Sequence, residues 1–575
     1  MRVRFHRFAS LIAGLSLMLA ACGGQGQSQG PAASGSGSGE GEGQTGGTLR
    51  VGIGGSPDSL NPGLGLLSES FEIYELVYDT PISITAEGEY EDELATDWVV
   101  AEDGVTWTVT LRDDVTFHDG EPLTASDLKF TLELYRDHEE FPYQSSYPDV
   151  FETIEVVSDT ELTIVTSQPI GNFEYRMLFM YVLPEHIWSA VEDPTTFENA
   201  EMIGTGPFKL TEFSHNEFTQ LAAFDGYHGG RPNIDEVIFQ RIENPDARVT
   251  ALTTGEIDLL GEFPVTAVPT LRNAENIEVF IADVAAGGSL TDIIFNVVEP
   301  ANCPTDDPET ADVDETGICS AHPAIRDVQV RRALAMATNK QELIDVGEGG
   351  LATAGLGLVP VGLGDFYPSD LEDYPYDVAA AAQMLEDAGY LDSDGNGVRE
   401  CRADQDCETL TFRLNYPSDS DTLPREAEVI AGQWAQVGVT LEIQGIDPDT
   451  LTSICCPAFD YDVIMWGWGS DPDPQFLLGV LLCSEVATGF SESGYCNPAY
   501  DALYEQQGVE TDAQTRIEQI HEMQRIALED VPYIIPYYSQ TVVAYRTDTF
   551  TGWPPADPSL GLTDPSSLRV IQPAN

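Results

Sequence analysis

Positive charge is scarce in this chain of 575 residues. Lysine and arginine together number 25, against 97 aspartates and glutamates, for a formal net charge of -72. Lysine occurs only at Lys129, Lys209 and Lys340. A surface so poor in cations repels phosphate, which excludes nucleic acid as a partner. It also repels itself unless salt screens it, so the composition predicts adaptation to high ionic strength. Long apolar runs are missing beyond residue 21, so no later segment is expected to cross a bilayer. Spacings that bear chemistry are missing too. The eight histidines are scattered, with no His-x-x-x-His pair and no paired Cys-x-x-Cys, which disfavours a transition-metal centre. The body holds no Gly-x-Ser-x-Gly elbow for a nucleophilic serine. No catalytic residue and no cofactor is expected.

What is present begins like an exported precursor. Arg2, Arg4 and Arg7 precede an apolar stretch, Phe8 to Ala21, too short for a comfortable membrane span. It closes on Leu19-Ala20-Ala21-Cys22, which resembles the bacterial lipobox. Cys22 is the expected lipidation site, ending a signal segment over 1–22. Residues 23–47, rich in Gly and Ser, cannot bury apolar area and read as a flexible tether. Without Cys22 eight cysteines remain, an even number suited to an oxidising compartment. Cys303 with Cys319, Cys401 with Cys407 and Cys483 with Cys496 are natural local pairs, each stabilising by about 2–4 kcal/mol when bridged. Cys455 and Cys456 are adjacent, and either bridge each other or pair elsewhere.

In the body, Leu49 to Ile53 alternates as a strand and "GGSPDSLNP" leaves it as a turn. "GVTWTVTLRDDVTFHDG" alternates again, with Trp107, Val109 and Leu111 on one face, and Gly120 ends it. "TASDLKFTLELY" predicts a helix capped by Ser126, with Leu128, Leu132 and Tyr135 on one side. His118-Asp119 thus reads as a turn and not as a catalytic pair. "YDVAAAAQMLEDAGY" is a helix from Asp377 to Gly389. "PREAEVIAGQWAQVG" is another, started by Pro424 and stopped by Gly438, and the strand "VTLEI" follows. Helices and strands alternate, which argues α/β layers.

Many segments, in order, resemble the extracellular solute-binding proteins of bacterial ABC importers, the peptide/nickel-type class. They include "GGTLRVGIGGSPDSLNP", "LATDWVVAEDGVTWTVTLRDDVTFHDGEPLTASDLKF", "IGTGPFKL", "FDGYHGGRPNIDEVIFQRIENPDARVTALTTGEIDLL", "HPAIRDVQVRRALAMATNKQELID", "FDYDVIMWGWGSDPDPQF" and "GYCNPAYDALYEQ". The resemblance covers residues 48–553. It implies a periplasmic-binding-protein-like (type II) two-lobed α/β fold with an additional inserted domain. Lobe I would comprise 48–82, 203–288 and 541–575, the inserted domain 83–202, and lobe III 289–540. Ligand would lie between lobes I and III, with hinge closure as the motion.

The resemblance also implies a function. The protein would be a monomeric, lipid-anchored receptor on the outer face of the cell membrane. It would capture peptides and deliver them to permease subunits, and through them to the ATPase subunits. Other cargoes, a nickel or metal chelate or an oligosaccharide, remain compatible; a secreted hydrolase is the reading least supported. "GWGSDPDP" follows the apolar run Val463-Ile464-Met465, and loops beyond such strands hold ligands. In peptide-binding relatives an aspartate in the matching segment pairs with the α-ammonium; here it is Asp471. Trp466, Gly467 and Trp468 would wall the cleft. Arg425 matches the region of a basic anchor for the carboxylate, and the loop with Ser56 and Asp58 would meet the peptide main chain. "DSDGNG" has the start of a calcium loop, Asp392-x-Asp394-x-Asn396-Gly397, but Ala403 stands where the closing glutamate belongs. No metal is expected.

Overall fold

The alternating segment 48–53 forms the strand Thr48–Ile53, with Leu49, Val51 and Ile53 buried. In the computed structural model the described residues are 45–574, except 86–89, 139, 142, 262, 282–287, 305–317, 419, 421 and 554–562. Cys22 and the apolar segment before it lie outside the described residues. Backbone hydrogen bonds begin slightly before the first strand. The Gly46 amide donates to Asn233 O at 2.7 Å and the Asp235 amide to Gly47 O at 3.0 Å, so the pairing of 48–53 with 236–241 extends into the last tether residues.

Thr48–Ile53 is central in a seven-stranded mixed sheet. The spatial order is 277–281, 542–546, 259–260, 48–53, 236–241, 218–223 and 208–214. A six-stranded sheet follows the order 352–354, 533–539, 289–295, 463–469, 411–417 and 440–446. A four-stranded antiparallel sheet joins 95–100, 106–111, 161–166 and 151–158.

Local chemistry explains most of these elements. On Thr106–Leu111 the residues Trp107, Val109 and Leu111 are buried and the intervening threonines are not, as alternation requires. The helix Ala125–Asp137 buries Leu128, Leu132 and Tyr135. Its cap is Thr124, not Ser126. Asp127 accepts from both the Thr124 amide and its hydroxyl at 2.9 Å, a reciprocal arrangement that Ser126 has no acidic residue placed to complete. Asp377 caps Val378–Asp387 by accepting from the Ala380 amide, and Gly389, at φ +93°, ends it. The helix Leu423–Ala435 buries Ala427, Ile430 and Trp434, and Trp434 stacks on Phe295 of the sheet with centroids 6.0 Å apart.

The six-stranded sheet has its own large apolar core. A second core runs from Leu49 and Val51 through Trp107, Val109 and Leu132, so the four-stranded sheet shares a core with the seven-stranded one. The two large sheets are joined where the chain passes from 277–281 to 289–295 and from 533–539 to 542–546. The ends of these passages are neighbours: Ile281 pairs with Val542 and Leu290 with Tyr538. This is the two-lobed α/β architecture with an additional smaller domain that the resemblance implied.

Candidate functional site

The strand Val463–Gly469 runs from core to surface. Val463, Ile464 and Met465 are fully buried, Trp466 to Trp468 half-buried and Gly469 exposed. A side chain at Gly467 would bring its Cβ to 2.6 Å from Leu290 O, so only glycine lets the paired strand approach there. Ser470 then fixes the turn. Its amide and hydroxyl donate to Gly288 O at 3.0 and 2.9 Å, tying it beside the passage between the large sheets.

Asp471 follows. Its Oδ2 accepts from the Tyr175 hydroxyl at 2.6 Å. Tyr175 belongs to the helix Phe173–Leu178, in the segment that carries the four-stranded sheet. Tyr147 and Phe179 pack on Tyr175, with centroids 5.5 and 6.0 Å away. The Asn172 amide donates to Gln475 Oε1 at 2.9 Å and seats this aromatic wall on the loop after Asp471. Burial pushes the Asp471 carboxyl above the usual range, the Tyr175 bond opposes this, and nearby Asp473 adds to it.

Asp473 lies two residues away in a different state. Arg516 grips both its oxygens at 2.7 and 2.8 Å, with the two side chains 5% and 2% exposed, and Gln507 holds the Arg516 Nε–H at 3.0 Å. Asp473 is neutralised inside the fold. Asp471 has a hydroxyl donor and, among the described residues, no ion pair. Such a carboxylate can accept an ammonium from a ligand at little further desolvation cost.

Trp468 donates its indole N–H to Glu492 Oε2 at 2.8 Å and meets Phe476 and Phe490 edge-on at 5.7 and 6.0 Å. Trp466 pairs across the sheet with Asp292. The other expected residues are not drawn to Asp471. Arg425 is exposed in the first turn of its helix, with no ion pair among the described residues. Its neighbour Glu426 points inward and accepts from the Tyr537 hydroxyl at 2.9 Å. Ser56 Oγ accepts from the Asn216 amide at 3.2 Å. Asp58 is used by its own loop: it accepts from the Leu66 and Leu67 amides at 3.0 and 3.1 Å and from the Ser70 hydroxyl at 2.6 Å. Tyr175, Tyr147 and Phe179 were not among the expected residues. The density of aromatic residues in "NFEYRMLFMY" was the available signal.

His118 is a structural residue. Its Nδ1 accepts from the Gly204 amide at 3.3 Å, so Nε2 carries the proton that it donates to Gly206 O at 3.0 Å. Burial pushes this imidazole down to about 4, leaving it neutral at pH 7. Asp119 turns away to His186 at 2.8 Å.

Three groups of side chains bring possible metal ligands within 4.8 Å of one another: His322 with Cys401 and Cys407, Asp79 with Glu93 and His228, and Asp392 with Asp394 and Glu400. In the first, the two sulfurs lie 2.12 Å apart, at bonding distance from each other. In the second, His228 Nε2 meets Asp79 at 3.0 Å, an internal ion pair or hydrogen bond. In the third, Glu400 stands near the place left open by Ala403, but it accepts from the Ser393 amide, and Asp392 and Asp394 from the amides of Asn396 and Gly397. Sulfur atoms also lie at bonding distance for Cys303 and Cys319 (2.05 Å) and Cys483 and Cys496 (2.02 Å), and Cys455 faces Cys456.

Residues 89–488 match the family described as bacterial extracellular solute-binding proteins, family 5. The oligopeptide-binding protein AppA of Bacillus subtilis (strain 168) is 24% identical over 544 residues, spanning 93% of each chain. The crystal structure of the ABC transporter substrate-binding protein CtaP from Listeria monocytogenes is similar with a TM-score of 0.77 at 24% identity, over 92% of this chain and 100% of that one. NikA from Brucella suis, solved with Fe(III)-EDTA, gives a TM-score of 0.76 at 20% identity, over 92% and 99%. The chain belongs to the family 5 bacterial extracellular solute-binding proteins, and its fold is the periplasmic-binding-protein-like type II fold.

Proposed function

We propose that this family 5 binding protein captures peptides outside the cytoplasm and delivers them to the permease of an ABC importer. The observation that carries the reading is Asp471. It is a largely buried carboxylate at the end of a core strand, next to the inter-sheet passage, with a tyrosine donor and no cation of its own. A peptide α-ammonium supplies the missing charge. The likeness to an oligopeptide-binding relative supports the same cargo. Closure about the region where Ile281 pairs with Val542 and Leu290 with Tyr538 brings lobe I over Asp471. In this reading the lobes divide as the resemblance implied, the neighbouring cysteines are bridged, and Cys22 holds the protein to the membrane by lipid. No bond in the cargo is broken.

A metal chelate is the second reading, favoured by the likeness to NikA. The net charge of -72 and the uncompensated Asp471 disfavour an anionic chelate and favour a cargo with a cationic end. Mass spectrometry of ligand released from the purified protein tests both. Peptides with free amino ends are expected. A metal chelate in their place, with no binding of added peptides, would sink the peptide reading.

A further inference from the structure

The peptide anchor leaves unexplained a second acidic feature, on the neighbouring strand Ser289–Phe295 and the loop over it. Asp292 stands opposite Trp466, and Leu290 opposite Trp468, so Asp292 and both tryptophans project from one side of the six-stranded sheet. Tyr533, opposite Ile294, shares that side. The loop between Cys483 and Cys496 lays Glu492 over it. Glu492 Oε2 accepts from the Trp468 indole N–H at 2.8 Å and from the Tyr533 hydroxyl at 3.3 Å.

Asp292 is 0% exposed, and neither of its carboxylate oxygens has a hydrogen-bond partner of normal geometry among the described residues; the nearby Trp466 backbone amide only partly offsets its burial. Burial raises both carboxyls, Asp292 further through the nearby Glu492 charge, and no basic group acts on either. Every lysine and arginine from Arg50 onward is described, so no cation of the body is left to reach them. Two acids have lost water without gaining a counter-charge, and each makes the other worse.

We infer that Asp292 and Glu492, flanked by Trp466 and Trp468, form a pocket for a cationic side chain of the ligand, a guanidinium or a primary ammonium. The inference rests on the peptide reading and names the side chain that the site prefers. A guanidinium offers donors to both carboxylates at once, and the adjacent indoles favour a cation over their faces. An apolar side chain would leave both acids buried and unpaired. Asp471 takes the amino end; this pair takes a side chain.

Calorimetry on the full chain compares Ala-Arg-Ala with Ala-citrulline-Ala, whose ureido group keeps the shape and drops the charge. The arginine peptide is expected to bind at least about tenfold more tightly. That gap should shrink to about threefold or less in Asp292→Asn/Glu492→Gln. Equal affinities for the unmodified protein overturn the pocket and leave the peptide reading standing. A gap that persists undiminished in the double variant also overturns the pocket. If neither peptide binds, the peptide reading falls, and agmatine and spermidine are titrated alone. Saturable binding that the double variant loses then supports the pocket; no binding overturns it. The arginine–citrulline comparison needs no variant, so a poorly folded double variant does not remove the test.

Discussion

The Tyr175 hydroxyl donates to Asp471 Oδ2 at 2.6 Å, joining the smaller domain to the loop after strand 463–469 of the six-stranded sheet. The bond holds the one carboxylate of the "SDPD" loop that lacks a cation, and aims it. Asp471→Asn keeps the shape and removes the charge. Peptide affinity should fall by roughly 30-fold or more, from about 2–5 kcal/mol for one half of a buried charge pair. An N-acetylated peptide should lose a similar amount on the unmodified protein and be little affected by Asp471→Asn. Tyr175→Phe should cost about three- to tenfold, the worth of one hydrogen bond. Calorimetry on the combinations reads this. Additive losses from acetylation and Asp471→Asn would show that the two do not touch.

Asp473 predicts the opposite phenotype. Asp473→Asn leaves the Arg516 guanidinium buried without its charge partner, so stability should drop by about 3–5 kcal/mol. Chemical denaturation should separate this variant from Asp471→Asn, which should unfold close to the unmodified protein. Equal stabilities would mean that the Arg516 pair is not a structural clamp.

Stability should depend on pH through buried carboxyls. Burial raises Glu426 and Glu492 from the ordinary 4.5 to about 7. A raised folded value means that their contribution is fully present below 4.5 and is lost as pH rises through 7. The melting temperature should fall between pH 5.5 and pH 8. Glu426→Gln should flatten that slope and stabilise the protein at pH 8 by on the order of 1–3 kcal/mol. His118 acts at the acid end. Its value is lowered from 6.5 to about 4, so its contribution is present above 6.5 and lost as pH falls through 4. A melting temperature that rises steadily from pH 5.5 to pH 8 would refute the carboxyl assignment.

Salt should stabilise the fold. At a net charge of -72, self-repulsion is large when ionic strength is low, and screening relieves it. Thermal melts from low to molar salt should show a rising midpoint. A flat series would remove the case for a saline habitat without touching the binding role.

Cys22→Ser should release the protein from the membrane fraction, because a lipid on Cys22 is the proposed anchor and the Gly/Ser tether binds nothing by itself. Fractionation of cells expressing both forms reads the outcome. A serine variant that stays in the membrane fraction would rule out this anchor.

Elements whose causes are local were legible in the sequence. Asp377 and Gly389 bound a helix because a side-chain oxygen can cap an amide and glycine can take positive φ, whatever surrounds them. Val463 to Met465 announced a buried strand, because burial on both faces demands an unbroken apolar run. Motif order pointed to a solute-binding protein of family 5. Tertiary structure decided what rests on pairs distant in the chain. Ser126 and Thr124 are equivalent caps by type, and only Asp127 reaching back to Thr124 selects between them. Arg425 and Glu426 are adjacent in sequence, yet the helix face turns one to solvent and the other to Tyr537. Asp471 and Asp473 look alike in "SDPD"; Arg516 neutralises one, and Tyr175, 296 residues away, holds the other. Asp292 and Glu492 carried no local signal at all. Acid residues are everywhere in this sequence, and only sheet register and a loop laid across it bury these two together without a cation.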